Sequence, residues 1–200
     1  MKKAAIILSQ PFRRYRGSDC VICADAGYLR AKENGIMVDL IVGDMDSVSY
    51  LPDDIETCIV PKEKDFSDGE LALRQAVLRN YDTVDIYGGA GGRLDHTLFN
   101  IHLLFLAKKL GISAVMRGDD HDVYYTESNL LLDAKQGDVI SIVPFSERVH
   151  IMMTKGLKYT ADGLVLTKSD TLGLSNECVA DSGVFIGLKE GSALIVHYFK

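Results

Sequence analysis

Two contrasting patterns of hydrophobic residues divide this chain, and together they limit the folds open to it. Up to about Asp119, short apolar runs alternate with longer segments of helical spacing. This alternation predicts an α/β fold, in which a mainly parallel sheet carries helices on both of its faces. The predicted strands are Ala4–Leu8, Cys20–Ala24, Leu40–Val42, Thr57–Val60, Thr83–Tyr87 and Ser113–Met116, and the predicted helices are Ala26–Asn34, Gly69–Asn80 and Thr97–Leu110.

The rest of the chain contains short β-rich segments and no stretch that predicts a helix of three turns. Turn signals such as Gln136-Gly137-Asp138 and Glu190-Gly191-Ser192 separate the segments, as is typical of antiparallel strands. We therefore predict an all-β sandwich or barrel-like domain over residues 123–200, after an α/β domain over residues 1–122.

Charge and composition exclude several classes of protein. The formal charge of −6 argues against a general nucleic-acid binder, which normally carries a basic face. No segment approaches the roughly 20 unbroken apolar residues of a membrane span, so we predict a cytoplasmic protein without membrane contact. Cys20 and Cys23 form a single C-x-x-C within a predicted strand, where residues three apart point to opposite faces. This spacing favours buried, inert thiols over a redox pair or a zinc site.

Acidic and glycine-rich segments follow three of the predicted strands. They are Ala24–Gly27, Gly43–Ser47 and the run from Gly88 to His96. In a parallel sheet the carboxyl ends of the strands lie along one edge, which is where such folds bind ligands. We therefore expect Asp25, Asp44 and the glycine-rich run to lie along the same edge.

Asp44 and Asp46 stand two residues apart on a turn that follows a buried strand. Two such carboxylates can converge on one hard cation, and oxygen ligands suit Mg²⁺. The alternative is a polar turn whose side chains bond only to the local backbone. Asp68 could bring a third carboxylate from the next segment, although Ser67 and Glu70 there also form the pattern of a helix capping box.

The segment from Gly88 to Gly92 places glycines between a strand and a helix, where the backbone can pass close to phosphate oxygens. It matches neither a Walker A loop nor the dinucleotide fingerprint. Arg93 adds a fork of donors suited to phosphate. Asp95 can cap the helix, or it can orient Arg93 or a metal-bound water. His96 lies in the first helical turn and is more typical of a hydrogen-bonded helix residue.

Taken in order, these segments resemble those of bacterial thiamine pyrophosphokinases. The resemblance extends to Lys64–Leu73, to Asn100 after the glycine-rich run, and to Gly156–Tyr159 and Gly173–Glu177 in the second half. It therefore covers almost the whole chain, in four successive motifs of the first half and two of the second.

The resemblance implies an enzyme that transfers the pyrophosphoryl group of ATP to the hydroxyl of thiamine, giving thiamine diphosphate and AMP. It also implies a homodimer whose active site forms where the α/β domain of one subunit meets the β domain of the other. By the same resemblance Asp44, Asp46 and Asp68 hold Mg²⁺. The catalytic residues are then those three and Arg93, and the implied substrate-binding residues are Asp25, Lys64, Gly89, Gly91, Gly92, Arg93, Asp95, His96, Asn100, Ser175 and Asn176.

One feature departs from the resemblance. Eukaryotic members stack thiamine on a tryptophan, and this chain has none. Tyr159 or an aliphatic wall must therefore take that role.

Three other functions stay open at this stage: a metal-dependent hydrolase of nucleotides or phosphoesters, a pyrophosphokinase acting on another alcohol such as a pterin, and a non-catalytic sensor of a nucleotide or vitamin.

Overall fold

The computed structural model describes residues 1–45 and 53–200, and these residues fall into two compact units, Met1–Asp119 and Asp120–Lys200. The first unit contains strands β1 (Lys3–Ile7), β2 (Cys20–Ala24), β3 (Leu40–Gly43), β4 (Glu56–Ile59), β5 (Thr83–Tyr87) and β6 (Ser113–Arg117) and helices α1 (Gly27–Glu33), α2 (Asp68–Leu78) and α3 (Leu94–Lys109).

The strands of the first unit are parallel and lie in the order β6-β5-β1-β2-β3-β4. Helix α1 packs on one face, where its Ala31 joins a core with Ile7, Val21 and Ile41. Helices α2 and α3 cover the other face, where Gly69 of α2 approaches the side chains of Leu8 and Leu103. The predicted parallel sheet with helices on both faces is confirmed.

The N-termini of helices α2 and α3 are stabilised in different ways. The Ser67 hydroxyl accepts a hydrogen bond from the Glu70 N–H at 3.2 Å and so caps α2, as the capping pattern predicts. The Glu70 carboxylate instead pairs with Arg74 at 2.6 Å. Helix α3 begins at Leu94, three residues earlier than the predicted Thr97, because the extended backbone of Arg93 leads straight into it.

The thiols of Cys20 and Cys23 are buried and form no disulfide, in agreement with the prediction. Burial raises the pKa of both thiols, and the nearby carboxylate of Asp39 raises the pKa of Cys23 further. Both groups are therefore protonated at neutral pH and serve the core of the sheet.

The second unit consists of short antiparallel strands and contains no helix. Its strands are β7 (His121–Thr126), β8 (Asn129–Leu132), β9 (Val139–Pro144), β10 (Arg148–Lys155), β11 (Val165–Thr167), β12 (Asn176–Glu177), β13 (Val184–Glu190) and β14 (Ala193–Tyr198). Strand β7 begins at His121, so the second unit starts before the boundary drawn from the sequence at residue 123.

These strands form two layers, in the orders β12-β9-β14-β7 and β11-β10-β13-β8. Their facing apolar side chains, including Ile140 and Ile195 of one layer and Ile151 and Ile186 of the other, form one buried core. The predicted all-β C-terminal domain is confirmed, and it is a sandwich.

A buried pair joins Asp138, the residue before β9, to His197 of β14 in this sandwich. His197 Nε2 lies 2.8 Å from Asp138 Oδ2, and both side chains are almost fully buried. The Asp138 carboxylate also accepts hydrogen bonds from the backbone N–H groups of Lys135 and Lys200. Burial alone would raise the pKa of Asp138, but the hydrogen bonds from Lys135, His197 and Lys200 outweigh it, so the pKa lies below its usual value.

Candidate active site

Asp25, Gly43 and Asp68 meet at the carboxyl edge of the first unit's sheet. Asp25 follows β2, Gly43 ends β3, and Asp68 is the first residue of α2. A Cβ atom built on Gly43 would lie 3.2 Å from Asp25 Cβ and 3.2 Å from Asp68 Oδ1. The φ angle of Gly43 is +142°, which side-chain-bearing residues rarely adopt. The backbone conformation therefore favours glycine here, and a side chain would press on both carboxylates.

Two carboxylate oxygens at this edge are buried without a hydrogen-bond partner among the described residues, Asp25 Oδ1 and Asp68 Oδ1. Lys64 Nζ lies 3.0 Å from Asp68 Oδ1 as an ion pair, although without the angles of a hydrogen bond. The backbone of Asp25 is strained as well, with φ at +45°. Buried carboxylate oxygens are costly unless a cation or donor faces them. Lys64 already faces Asp68 Oδ1, so it is Asp25 Oδ1 that favours a cationic ligand.

The oxygen donors present fit a hard divalent cation such as Mg²⁺. Asp44 directly follows Gly43 and is partly buried. Asp46 lies outside the described residues, so its predicted part in the metal site stays a prediction. In the ranges 1–45 and 53–200, no group of three or more acidic, histidine or cysteine side chains is arranged to hold a metal ion.

The glycine-rich run leads from β5 into α3, and side chains of α3 hold its carbonyl groups. Asn100 Nδ2 donates to Gly89 O at 2.9 Å, and the Thr97 hydroxyl donates to Gly91 O at 3.1 Å. Gly91 and Gly92 have positive φ angles of 101° and 64°. Because these carbonyls are already bonded to the helix, the loop does not present them to an anionic ligand. Asn100 is thus placed to shape the loop.

Gln10 was not identified from the sequence, yet it lies in the middle of this edge. Its N–H donates to Gly88 O at 3.1 Å. A Cβ atom on Gly92 would lie only 2.6 Å from Gln10 Oε1, so the missing side chain of Gly92 makes room for the Gln10 carboxamide. The one signal in the sequence is its position, two residues after the first buried strand.

The strand order explains why these groups share one edge. The glycine-rich run follows β5, Gln10 follows β1, Asp25 follows β2 and Gly43 ends β3, and these four strands are neighbours in that order. With neighbouring strands about 4.8 Å apart, the three spacings from β5 to β3 amount to about 14 Å. In the sheet, β2 lies on one side of β1 and β5 lies on the other. The strand order therefore reverses at β1, and open α/β sheets bind ligands at such a switch point.

Arg93 and Asp95 form an exposed pair at the start of α3. Arg93 Nη2 lies 2.6 Å from Asp95 Oδ2, and Arg93 Nε donates to Asp95 Oδ1 at 3.1 Å. The hydrogen bond from Arg93 lowers the pKa of Asp95 to about 2, helped by the N–H of His96. Of the roles open to Asp95, the structure shows the orienting of Arg93. His96 is exposed, and its N–H is held by Asp95.

A separate cavity of about 690 Å³ opens in the sandwich of the second unit. Its floor is apolar, with Ile142, Ile151 and Leu166 from the sandwich core. Its rim carries Tyr159, Asp162, Ser175 and Asn176. Ser175 has a φ angle of +59°, and its N–H donates to the Ser141 hydroxyl at 3.0 Å. An apolar floor with a few polar groups at the rim is typical of a pocket for a small organic ligand.

The predicted site residues therefore fall into two groups. Those of the first unit lie along one sheet edge: Asp25, Asp44, Lys64, Asp68, Gly89, Gly91, Gly92, Arg93, Asp95, His96 and Asn100. Ser175 and Asn176 line the cavity of the second unit. The individual roles of these residues stay predictions.

Comparison with known proteins gives the same family for both units. Residues 13–116 match the family model "Thiamin pyrophosphokinase, catalytic domain", and residues 127–192 match "Thiamin pyrophosphokinase, vitamin B1 binding domain". The chain is 31% identical over 172 residues to thiamine pyrophosphokinase of Bacillus subtilis, covering 82% of this chain and 80% of that protein.

Solved structures have the same fold. The crystal structure of thiamine pyrophosphokinase from Bacillus subtilis matches with a TM-score of 0.88 and 24% identity, covering 100% of both chains. Thiamin pyrophosphokinase from Candida albicans matches with a TM-score of 0.81 and 15% identity, covering 100% of this chain and 89% of that one. At these identities the structural matches establish the fold alone.

Proposed function

The chain belongs to the thiamin pyrophosphokinase family, and we propose that it transfers the pyrophosphoryl group of ATP to the hydroxyl of thiamine, giving thiamine diphosphate and AMP. The observation that carries the proposal is the meeting of Asp25, Gly43 and Asp68 beside a glycine-rich loop on one sheet edge. Its carboxylate oxygens and glycine-rich backbone support the proposal, because a polyphosphate substrate needs a cation and nearby backbone N–H groups.

Mg²⁺ is the cofactor we propose for this edge, held by Asp44, Asp46 and Asp68. The buried Asp25 Oδ1, which has no hydrogen-bond partner among the described residues, supports a cation here, and Asp25 lies close enough to Asp68 to contribute to the same site. When bound, the ion neutralises charge on the phosphate oxygens and polarises them. Lys64, whose side chain is only 10% exposed beside Asp68, adds a fixed positive charge to the same region.

The reaction forms a bond between the thiamine hydroxyl oxygen and the β-phosphorus of ATP and breaks the bond from that phosphorus to the oxygen of the α-phosphate. AMP leaves with that oxygen. The chain's part in this step is to place the polyphosphate in line with the hydroxyl and to balance the charge that spreads over the phosphoryl oxygens. Arg93 would supply a guanidinium for that charge once the phosphate competes with Asp95 for it.

The hydroxyl proton needs an acceptor during the attack. Asp46 and Asp68 are the proposed acceptors, either directly or through a water molecule. Lys64 Nζ lies 3.0 Å from Asp68 Oδ1, so it holds this carboxylate in place to accept the proton or to order a water.

The acceptor site that we propose is the cavity of the second unit. Its apolar floor suits the flat rings of thiamine, and Ser175 and Asn176 stand at its rim. Tyr159, which lies at the same rim with 66% of its surface exposed, would replace the tryptophan of eukaryotic relatives as the aromatic contact. A cationic thiazolium is attracted to the face of such a ring.

A second copy of the chain is the partner that we propose, giving a homodimer. Helix α3 is apolar around most of its circumference, and a helix of this kind is normally covered on all sides. Yet Leu94, Leu98 and Phe99 are exposed, by 72%, 53% and 71%. Light scattering of the purified chain would test this, and a monomer at micromolar concentration would contradict it.

Among the described residues, no helix is long and apolar enough to cross a membrane. The cytoplasmic location predicted from the sequence stays a prediction.

The experiment that tests the proposed reaction is an AMP-release assay with ATP, Mg²⁺ and a panel of acceptors. We expect AMP release with thiamine, and only background release with a pterin alcohol or without an acceptor. Release of phosphate from ATP alone would instead indicate a hydrolase, and tight binding without turnover would indicate a sensor. The family match does not favour either alternative.

A further inference from the structure

The carboxamide of Asn176 is almost fully engaged within the protein. Its Nδ2 donates to Tyr159 O at 2.7 Å, while its Oδ1 accepts from Tyr159 N at 3.1 Å and from Glu177 N at 2.9 Å. Exchanging the oxygen and nitrogen would point two backbone donors at an NH₂ group, so the bonding pattern fixes the orientation. At most one N–H of Asn176 is left for a ligand.

These hydrogen bonds close one end of a small paired segment. Lys158 N donates to Glu177 O at 2.9 Å, and Leu157 forms an isolated antiparallel bridge with Cys178. Asn176 continues this pairing by one residue, because its side chain bonds to both backbone groups of Tyr159, as a strand neighbour would. The backbone of Tyr159 is thus held at both its N–H and its C=O, although it lies in a loop.

The ring of Tyr159 is nevertheless open to ligands at the rim of the cavity. Tyr159 is 66% exposed, and it lines the cavity together with Asn176. Lys158 Nζ lies 5.9 Å from the ring centroid and is itself held by Glu177 at 3.1 Å. One face of the ring therefore already has a cation near it, and a cationic ring of the ligand would use the opposite face.

We propose that Asn176 is a positioning residue, which fixes Tyr159 as the aromatic wall for a flat cationic heteroaromatic acceptor, rather than a direct ligand of that acceptor. This inference rests on the proposed function, in which the cavity receives thiamine. It revises the role that family resemblance gives to Asn176.

The chain contains no tryptophan, so Tyr159→Trp would introduce a single fluorescent reporter at the cavity rim. Thiamine added without ATP should quench this reporter if the ring at position 159 stacks on it. Adding Asn176→Ala to the reporter chain should release the indole and so lower its emission anisotropy. We also expect it to raise the Kd for thiamine about tenfold, within the roughly 5- to 150-fold loss that two hydrogen bonds imply. Asn129→Ala, an exposed asparagine on β8 away from the cavity, is the control and should change neither quantity.

Kinetics of a double-mutant cycle distinguish a positioning residue from a ligand. We expect Asn176→Ala and Tyr159→Ala each to raise KM for thiamine about tenfold without changing KM for ATP, and the double variant to be no worse than Tyr159→Ala alone. Asn129→Ala is again the control and should leave both KM values unchanged. Additive effects in the double variant, or an unchanged KM in Asn176→Ala, would overturn the proposal.

Asn176→Asp covers the case in which the alanine variant does not fold. It keeps the acceptor for the N–H groups of Tyr159 and Glu177 but turns a carboxylate oxygen toward Tyr159 O. We expect the same rise in KM for thiamine. A KM equal to that of the unaltered chain would overturn the positioning role, whereas failure of the unaltered chain to turn over thiamine would overturn the proposed function itself.

Discussion

Gly43→Ala is the substitution that tests most sharply whether Asp25 and Asp68 meet at this glycine. The new methyl group would lie 3.2 Å from Asp25 Cβ and 3.2 Å from Asp68 Oδ1, which is tighter than an ordinary contact. Relief requires one of the two carboxylates to move by a few tenths of an ångström. The φ angle of +142° adds backbone strain that alanine cannot avoid.

The magnitudes follow from these two effects. Strain of this kind costs about 1–3 kcal/mol. For a domain of this size each kcal/mol lowers Tm by about 2–4 °C, so a fall of about 2–12 °C is expected. Displacement of a carboxylate at the proposed phosphate site should reduce kcat/KM about 100-fold, since small misplacements of positioning groups are that costly.

Thermal unfolding followed by circular dichroism and AMP release with thiamine measure the two effects on the same samples. Gly17→Ala is the matched control, because Gly17 also has a positive φ, of 73°, but no atom lies within 4 Å of its added Cβ. It should lose stability in the same way and keep full activity. A Gly43→Ala chain with unaltered Tm and kcat/KM would refute the meeting of the three residues.

Three further substitutions test other parts of the account. Asp68→Asn should fold normally but lose about 100-fold in kcat, because a carboxylate oxygen is removed from the proposed phosphate site. Near-normal turnover in a steady-state assay would exclude Asp68 from the site. Asn100→Ala should raise KM for ATP about fivefold, the effect of losing one hydrogen bond of about 1 kcal/mol to Gly89 O. An unchanged KM would mean that the glycine-rich run keeps its shape without this bond. Asp138→Asn should lower Tm at pH 7, because the folded pKa of Asp138 lies below its unfolded value of about 3.9. That stabilisation is complete above pH 5 and is lost as the pH falls through the folded pKa. The Tm difference between the variant and the unaltered chain should therefore shrink in acid. A constant difference down to pH 2 would contradict the link between the Asp138 pKa and stability.

Much of the fold is predictable because buried strands appear in the sequence as runs of consecutive apolar residues. Every residue of Cys20–Ala24 and of Leu40–Gly43 is buried, which is the pattern of strands covered on both faces. The start of α3 was misplaced because the glycine-rich run hides it. Strand β12 was missed because its two residues pair with β9 only through the tertiary structure.

The site was less accessible from the sequence than the fold. Acidic and glycine-rich clusters identify the sheet edge, because charged residues directly after buried strands are conspicuous. Gln10 was missed because an uncharged side chain outside any cluster gives no signal, and its importance appears only where Gly92 leaves room for it. The engagement of Asn176 with Tyr159 was likewise hidden, since it joins residues 17 positions apart.

Phosphorus NMR of a reaction containing the chain, ATP, Mg²⁺ and thiamine tests the central claim most directly. The account predicts the paired resonances of thiamine diphosphate and the single resonance of AMP, growing at equal rates as ATP disappears. Formation of ADP with thiamine monophosphate, or of inorganic phosphate at the same rate with and without thiamine, would contradict attack of the thiamine hydroxyl on the β-phosphorus.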